Sequence, residues 1–551
     1  MATKLDRKQL PSGHSASDFK YMGRPAKDQG DFGPDVGLAD MACVNQFGEA
    51  NNAKYYSCGV VQSTKTNSWF VYLEWGRMKS AHSWNGSFGG GDYQFVECSG
   101  ETDARDFFCK QASSKNIKRM VQRSIGGKTV WTSKDGEDGY IVQRLATREK
   151  GLPDAYRIKD DSGVVKAAAS VAPSKPSTPK PAVPSRSYQP QVLSLAQALV
   201  GGTQTYTRAL SAAAGVTPTM DTIKEVREDL IPLALQRIKV VGADVTRQVR
   251  DKDLVAISKM VAALVPRPIP RQGQSAEEAI LSGNNIMTLE QDLDAFEASL
   301  RNEDFTEHAP VTTVDPDRLL NARLTWLNPA AEGKWVCDTL QRMSNNRHSY
   351  LSGSIRILNL FRVERSDRDS QFLNNVEIVA GRRRGQFSLR ANLQPPTRGD
   401  LEGKEATLYR DANVILTQHG TRSVNVAPIT QTHFRLPKQL PGALICGANF
   451  GHGIYHAVDF RKAVGYTSYD RAAWSSGGGG VKGRGAFMFL NDMLMGQTYR
   501  APSTGSWDQP PNGCDSVFGV GGDRGHRLEN DELVVFNPHF TRIRYLVEFT
   551  F

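Results

Sequence analysis

The sequence lacks the features that mark secreted, disulfide-bonded and membrane-spanning proteins. Its seven cysteines are scattered over 551 residues without a CxxC pair, so neither a disulfide framework nor a zinc site is expected. No run of ~20 residues is apolar enough to cross a bilayer. The first residues are polar and contain no apolar signal core. We therefore expect reduced thiols, no bound metal, no secretion signal and no membrane association.

The chain also has no strong excess of one charge. Its 68 Lys and Arg residues against 58 Asp and Glu residues give a formal net charge of +10 and a pI near 9.1. This balance weakly favours a polyanionic partner such as nucleic acid. We expect a monomer, nuclear if the source is eukaryotic and otherwise in the cytoplasm of a bacterium or a phage host.

A chain of 551 residues is too long for one hydrophobic core, so we expect several domains. Composition and periodicity divide the chain into five segments. Polar composition predicts a disordered tail over residues 1–35. Aromatic and β-branched runs predict a small domain of antiparallel strands over 36–165. Repeated prolines predict a linker over 166–190. Apolar residues at helical spacing predict an all-α bundle over 191–305, and short β-rich runs between Gly-rich loops predict an α+β domain over 306–551.

One helix start in the bundle is expected from its sequence. Thr288-Leu-Glu-Gln291 resembles a capping box, in which the threonine and glutamine side chains bond the first free amides of a helix. The following Leu289, Leu293 and Phe296 lie at helical spacing. This pattern predicts a helix whose N-cap is Thr288.

Three separated segments in the last domain contain residue types that suit one active site. They are residues 418–422 (QHGTR), 453–457 (GIYHA) and 530–536 (NDELVVF). In this order they resemble the His–Tyr–Glu signature of the poly(ADP-ribose) polymerase family, whose members break the nicotinamide–ribose bond of NAD+ and transfer ADP-ribose. The resemblance spans residues 310–551 and implies a mixed α+β ADP-ribosyltransferase domain with NAD+ as substrate and no metal.

The resemblance gives each signature residue a role. His419 is expected to bond the adenosine ribose, and Gly420 to offer its backbone N–H and C=O to the nicotinamide carboxamide. Tyr455 is expected to stack on the nicotinamide ring. Glu532 is expected to bond the ribose 2′-hydroxyl, stabilise the positive charge of the transition state and help activate the acceptor hydroxyl.

Further positions match the family's cofactor site. Tyr466 would complete the stack around nicotinamide, Lys462 would lie beside it, and Arg435 would lie near the adenosine. Thr421 stands where the family usually has Ser, and Ala463 stands where it often has a Ser that bonds the carboxamide. Residues 366–410 are also longer and more basic than the family pattern.

The resemblance extends to the strand-rich segment. Glu74-Trp75-Gly76-Arg77 matches the Trp-Gly-Arg motif of the WGR domain, a small antiparallel-sheet domain in which the tryptophan packs on a nucleotide at a DNA break and the arginine holds the 5′ end. An ordinary core tryptophan at Trp75 and a solvated arginine at Arg77 are the alternatives. By position and helicity, residues 191–305 resemble the family's autoinhibitory helical subdomain.

Together these observations predict a multidomain α+β protein with a WGR domain, an all-α helical regulatory domain and a mixed α+β catalytic domain. Its expected partners are DNA with strand breaks and protein acceptors, including the chain itself. Because single-transfer members of the family usually replace the catalytic glutamate, Glu532 favours chain elongation. A mono-ADP-ribosyltransferase and a DNA-end-binding scaffold with a degenerate catalytic domain stay open as alternatives.

Overall fold

The structure is a computed structural model that forms two compact units. Unit 1 comprises Met1–Lys180 and Thr207–Leu293, and unit 2 comprises Pro181–Tyr206 and Asp294–Phe551. Among the residues described, no helix is both long enough and apolar enough to cross a membrane. The described residues are 2–26, 28–33, 35–45, 52–77, 91–125, 127–134, 137, 139–142, 187–214, 216, 218–242, 244–267, 280–283, 285–303, 305, 314–344, 351, 354–382, 403–436, 449–470, 472, 480–505, 507–511, 513–522 and 528–551.

The described part of unit 1 contains a large, mainly antiparallel sheet and a separate hairpin. The sheet has the strand order β1-β7-β6-β5-β4-β10, with β2 beside β5 and β3 beside β4, and the hairpin pairs β8 with β9. Its strands are β1 Thr3–Lys4, β2 Phe19–Tyr21, β3 Arg24–Pro25, β4 Val36–Asn45, β5 Asn52–Ser63, β6 Trp69–Arg77, β7 Asp92–Cys98, β8 Met120–Ile125, β9 Lys128–Ser133 and β10 Ile141–Val142.

The expected disordered tail over residues 1–35 is corrected by this sheet. β1 pairs with β7, and β2 pairs with β5. Phe19 and Tyr21 are buried, whereas Lys20 between them in the sequence is exposed. Both aromatic residues pack in one core that includes Phe70 and Phe95. The period-two pattern is only three residues long, so the surrounding polar residues concealed it.

Three helices of unit 1 begin at side-chain N-caps. The Asp244 and Asp251 carboxylates accept hydrogen bonds from the first amides of α5 and α6, and Thr219 caps α3. The helices are α1 Glu101–Lys115, α2 Pro190–Ala214, α3 Met220–Glu225, a π-helix Val226–Leu230, α4 Ile231–Val241, α5 Val245–Arg250, α6 Lys252–Leu264 and α7 Ile286–Arg301; α2 and α7 each cross the sequence boundary between the units.

The helical content predicted for 191–305 is present, but the two compact units do not follow that segment. Ala262 and Ala263 of α6 pack on Ala42 of β4 within unit 1. Leu195 and Leu199 of α2 belong to the main core of unit 2. An apolar helix face shows that a partner surface exists but does not identify it, so the sequence pattern alone could not assign these helices. The helix with the predicted Thr288 cap begins instead at Ile286.

Within its described residues, unit 2 contains two sheets. Their strand orders are β11-β12-β19-β15-β13 and β14-β18-β17-β16. The strands are β11 Arg323–Leu327, β12 Arg356–Glu364, β13 Val414–Gly420, β14 Ile454–His456, β15 Ala486–Leu494, β16 Thr498–Arg500, β17 Ser516–Gly519, β18 Glu532–Val535 and β19 Thr541–Thr550. The helices are α8 Pro316–Leu320, α9 Lys334–Arg342, α10 Ser366–Arg382, α11 Gly403–Asp411, α12 Val426–Thr432 and α13 Phe460–Val464.

The two sheets of unit 2 meet at one backbone bridge. The N–H of Gln418 on β13 donates to the carbonyl of Ala457 at 2.7 Å, and the N–H of Ala457 donates back at 2.9 Å. β13 lies on the buried strand β15, with His419 opposite Phe489. The bridge therefore fixes His419 beside the end of β14.

Parts of two sequence predictions lie outside the described residues. Of the predicted proline-rich linker, residues 166–186 are outside them, and α2 begins at Pro190. Of the basic segment over 366–410, residues 383–402 are outside them, whereas α10 and α11 are described.

Candidate active site

Sheet register brings the three signature residues together. His419 lies near the end of β13, Tyr455 is the middle residue of β14, and Glu532 is the first residue of β18. β14 pairs antiparallel with β18, so that Tyr455 lies opposite Val534. Because β13 is bridged to the chain that leaves β14, residues far apart in sequence converge at one corner of the two sheets.

His419 is held as a neutral imidazole. Its Nδ1 lies 3.0 Å from the carbonyl oxygen of Tyr455, and since a carbonyl only accepts, Nδ1 carries the proton. Burial lowers the pKa of His419, and the bond to Tyr455 only partly opposes that shift. The ring packs edge-on against Phe434 at 4.6 Å between centroids. With Nδ1 occupied, Nε2 is the nitrogen that can accept a hydrogen bond from a substrate hydroxyl.

The Tyr455 hydroxyl forms hydrogen bonds within the loop that precedes its own strand. It donates to the carbonyl of Gly451 at 2.8 Å and accepts from the N–H of Phe450 at 2.9 Å. Burial raises the pKa of Tyr455, and the neighbouring Glu532 and Tyr466 add to the rise. A phenol that is so engaged is unsuited to proton transfer, and the ring itself is what it can offer to a substrate.

Glu532 is buried in a fixed hydrogen-bond frame. Its Oε1 pairs with Lys462 Nζ at 2.9 Å, and its Oε2 accepts from Asn449 Nδ2 at 3.3 Å. Lys462 also donates to the Asp531 carbonyl at 3.1 Å. Burial lowers the pKa of Lys462, and Glu532 opposes that shift. The charge of the carboxylate is thus balanced, and its position is fixed before any substrate arrives.

One short helix positions both Lys462 and the floor of the site. Asp459 caps α13 by accepting from the Lys462 N–H at 3.0 Å. The same turn carries the Ala463 carbonyl to Gly420, where a Cβ on Gly420 would lie 1.9 Å from that oxygen. Only glycine fits at position 420, because a Cβ there would collide with the Ala463 carbonyl, whose backbone cannot easily move away.

Two of the remaining predicted cofactor residues, Tyr466 and Thr421, lie close to the signature residues in the chain. Tyr466 is partly buried, and its N–H donates to the Ala463 carbonyl at 3.2 Å, which places it on the same turn as Lys462. Thr421 is buried and accepts from Asn425 Nδ2 at 3.3 Å. Tyr466 therefore lies beside the turn that carries Lys462, and Thr421 lies beside Gly420.

Arg435 is engaged elsewhere. Its guanidinium pairs with Asp294 at 2.7 Å and with Glu297 at 3.2 Å, both on α7. The neighbouring Phe434 contacts His419, so Arg435 follows directly on a residue of the site. In this arrangement two carboxylates hold the cation that was expected to serve the adenosine side of the cofactor.

Two residues of the site were not predicted from the sequence. Phe434 packs on His419, and Asn449 donates to Glu532. Phe434 adjoins Arg435, so its segment was already a candidate. Asn449 had no sequence signal, because a single loop asparagine has no periodicity or motif. Among the described residues, no three His, Cys, Asp or Glu side chains are arranged to hold a metal ion.

The residues predicted to contact DNA lie at the end of β6 in unit 1. Trp75 and Arg77 are two positions apart in that strand. Trp75 is partly buried, and the guanidinium of Arg7 lies over its ring at 5.4 Å. The side chain of Arg77 lies outside the described residues. The ring of Trp75 thus already contacts one cation, and its pairing with Arg77 at a DNA end stays a prediction.

Comparisons with known proteins agree with part of these findings. Residues 331–526 match the family model of the poly(ADP-ribose) polymerase catalytic domain. The matched range contains His419 and Tyr455, whereas Glu532 lies beyond its end. Poly [ADP-ribose] polymerase 1 of Oryza sativa subsp. japonica is 30% identical over 109 residues, which cover 20% of this chain and 10% of that protein. The catalytic-domain match confirms the resemblance for that part of the chain and supports an ADP-ribosyltransferase that uses NAD+.

Proposed function

We propose that this protein is an NAD+-dependent poly(ADP-ribose) polymerase that DNA strand breaks activate. It would release nicotinamide, transfer ADP-ribose to proteins including itself and elongate the chain in a DNA damage response. The observation that carries the proposal is the buried Glu532 carboxylate, held by Lys462 and Asn449 at the corner where His419 and Tyr455 meet.

The first requirement of the reaction is to orient NAD+. Gly420 is partly exposed, and its backbone N–H and C=O would bond the nicotinamide carboxamide. The ring faces of Tyr455 and Tyr466 would stack on nicotinamide. The Nε2 atom of His419 would accept a hydrogen bond from a ribose hydroxyl, since the proton on Nδ1 is already bonded to the Tyr455 carbonyl. Such positioning lowers the entropic part of the barrier.

The second requirement is to stabilise a ribose that becomes positively charged as nicotinamide leaves. The Glu532 carboxylate would accept a hydrogen bond from the 2′-hydroxyl of that ribose. Its negative charge would then lie near the positive charge that forms on the ribose. Lys462 holds the carboxylate at 2.9 Å, so little reorganisation is needed during the reaction. During elongation the same carboxylate would take the proton of the attacking hydroxyl.

Regulation is proposed from the contacts of Arg435. Asp294 and Glu297 on α7 neutralise the cation expected on the adenosine side. Helices in this part of the sequence resemble the family's autoinhibitory subdomain. DNA-end binding through Trp75 and Arg77 would loosen that restraint and free Arg435 for NAD+. The linker rich in Lys and Ser would be a site of automodification.

The proposal is tested by incubating the purified chain with labelled NAD+, with and without nicked or blunt-ended duplex DNA. A high-molecular-weight smear that depends on DNA is the expected result. A discrete single band would replace the polymerase with a mono-ADP-ribosyltransferase, in which Glu532 is present but the acceptor site is too altered for elongation. Absence of label together with tight DNA binding would instead favour a DNA-end-binding scaffold.

A further inference from the structure

A cavity of about 230 Å³ lies in unit 1, between the β8–β9 hairpin and one face of α6. The hairpin contributes Arg123, Trp131 and Thr132 to its lining. The helix contributes Lys252 and Lys259, which lie two turns apart on one face, with apolar residues between them. The cavity is separate from the cluster around Glu532, and its assignment does not depend on the proposed function.

The charge of the lining is of one sign. Arg123, Arg250, Lys252 and Lys259 all border the cavity, and none of its described lining residues is acidic. The two carboxylates at the start of α6, at positions 251 and 253, pair with Arg237, at 2.7 Å and 3.4 Å respectively. Four cationic side chains around one concave space create a positive potential that attracts an anion.

A buried hydroxyl supplies an independent observation. Thr132 is 5% exposed, and its Oγ1 has no hydrogen-bond partner among the described residues although it borders the cavity. Buried polar atoms without a partner are uncommon, because the loss of hydration is not compensated. An oxygen of a ligand in the cavity would supply the missing bond.

We propose that this cavity binds a small ligand that carries a diphosphate group. The cations suit its charge, and Thr132 can donate to one of its oxygens. The indole of Trp131 offers an aromatic surface for a base attached to that group. The concave shape and small volume favour inorganic diphosphate or a nucleoside diphosphate over the backbone of a nucleic acid. A bound ligand would join the hairpin to α6 and stabilise the folded state by linkage.

The test is calorimetric titration of the full chain with inorganic diphosphate, ADP and adenosine. We expect saturable binding of the first two, weakened by salt, and none of adenosine. Tighter binding of ADP than of diphosphate, lost when Lys252 and Lys259 are both changed to Glu, would identify a nucleotide as the ligand of this cavity, and equal affinity would identify the inorganic ion. Failure of both diphosphate compounds to bind would overturn the proposal.

Charge reversal locates the site. Lys252→Glu with Lys259→Glu is expected to weaken binding of inorganic diphosphate at least about tenfold. Lys110→Glu with Lys239→Glu is the matched control, because it changes the net charge equally at exposed helical lysines outside the cavity. Equal affinity in the two double variants would assign binding to another site and contradict the inference.

Thr132→Val tests the hydroxyl without changing side-chain shape. We expect unchanged or slightly higher thermal stability of the unliganded chain, because an unpaired hydroxyl is removed, and about tenfold weaker diphosphate binding. A large loss of stability without ligand would mean that the protein itself satisfies Thr132. If wild type binds duplex DNA but not diphosphate, and the lysine reversals weaken only DNA binding, the surface is a nucleic-acid contact and the proposal is wrong.

Discussion

The two regions predicted from short motifs differ in how the structure supports them. Around Glu532, Lys462 and Asn449 bond the carboxylate. His419 bonds the carbonyl of Tyr455, whose strand pairs with the strand of Glu532. At the end of β6, Trp75 is partly buried, and the guanidinium of Arg7 lies over its ring at 5.4 Å. Sheet register and a capped helix together fix the residues of the first region. The motif of the second region lies on a single strand.

This difference teaches what a motif needs in order to predict a site. The three signature segments of unit 2 are each held by a strand pairing, and these pairings bring them to one place in space. A tripeptide on one strand fixes only which residues share a face. The activity proposed for unit 2 can therefore be tested residue by residue, whereas the DNA-sensing role proposed for unit 1 depends on the resemblance of the surrounding sequence.

The largest expected effect is from Glu532→Gln, which keeps the shape and removes the charge. We expect polymer formation to fall about 10²–10⁴-fold, because the carboxylate that would activate the acceptor hydroxyl is lost. Single additions of ADP-ribose can survive. The measurement is product length and rate on gels with labelled NAD+. Glu529→Gln, an exposed residue three positions earlier, is the control. Undiminished polymer in the Glu532 variant would refute the role given to that residue.

A second large effect is expected at the partner of Glu532. Lys462→Met keeps the aliphatic stem but leaves a buried carboxylate unpaired, which costs about 3–5 kcal/mol of unfolding free energy. The double variant Lys462→Met with Glu532→Gln should regain much of that stability without regaining polymer formation. Denaturant unfolding of the three variants gives the coupling energy. Additive losses would show that the ion pair does not unite these two side chains.

Acidification should act in opposite directions on the two units. Burial lowers the pKa of His433 from 6.5 to about 4, so the unfolded state binds more protons and unit 2 loses stability as pH falls from 6.5 to 4. At about 1.4 kcal/mol per pH unit, the loss from His433 approaches about 3 kcal/mol. Burial raises the pKa of Asp40 in unit 1, so that residue contributes stability that is present at low pH and lost as pH rises.

Hydrogen exchange at several pH values measures this difference. Amides of β13, β15 and β19 should lose protection on acidification from pH 6.5 to 4, relative to amides of β4, β5 and β6. The matched variant Asp40→Asn removes the titrating carboxyl from unit 1. A uniform loss of protection in both units would contradict the assigned directions.

A smaller effect is expected from Trp75→Ala. If its ring stacks on a nucleotide at a break, the affinity for a blunt-ended duplex should fall about tenfold, in line with one lost base–aromatic contact. Activity without DNA should be unchanged, because Trp75 belongs to unit 1. Trp75→Phe, which retains an aromatic face, should retain most of the affinity. DNA stimulation that is indifferent to both substitutions would remove the tryptophan from the proposed sensor.

An effect of similar size to that of Trp75→Ala concerns restraint of the catalytic domain. Asp294→Asn with Glu297→Gln should release Arg435 and raise activity without DNA by about 5–30-fold, the range that corresponds to a change of about 1–2 kcal/mol. Asp317→Asn on α8 is the control. Lower basal activity in the double variant would mean that the acidic pair positions Arg435 for catalysis instead of sequestering it.

Much of unit 2 could be predicted from sequence because its signals are local. The short β-rich runs predicted over 306–551 include strands β12 and β19, and the motif residues lie on described strands or next to them. The helices predicted over 191–305 also form. What could not be predicted was the partner of each apolar face, since α6 and α2 have similar periodicity but join different cores.

Two further results had no usable signal. The first strands of unit 1 are two or three residues long, too short for alternation to stand out from polar surroundings. Asn449 reaches Glu532 only through the tertiary fold. The engagement of Arg435 by α7 likewise depends on long-range contacts that spacing along the chain cannot reveal.

The central claim is that NAD+ binds at the corner formed by His419, Gly420, Tyr455 and Glu532. The most direct measurement is a crystal structure of the chain with a non-hydrolysable NAD+ analogue. The account predicts the carboxamide on the Gly420 backbone, the nicotinamide ring on Tyr455 and the nicotinamide ribose within hydrogen-bonding distance of Glu532. An analogue bound elsewhere, with the Glu532–Lys462 corner unchanged and empty, would contradict it.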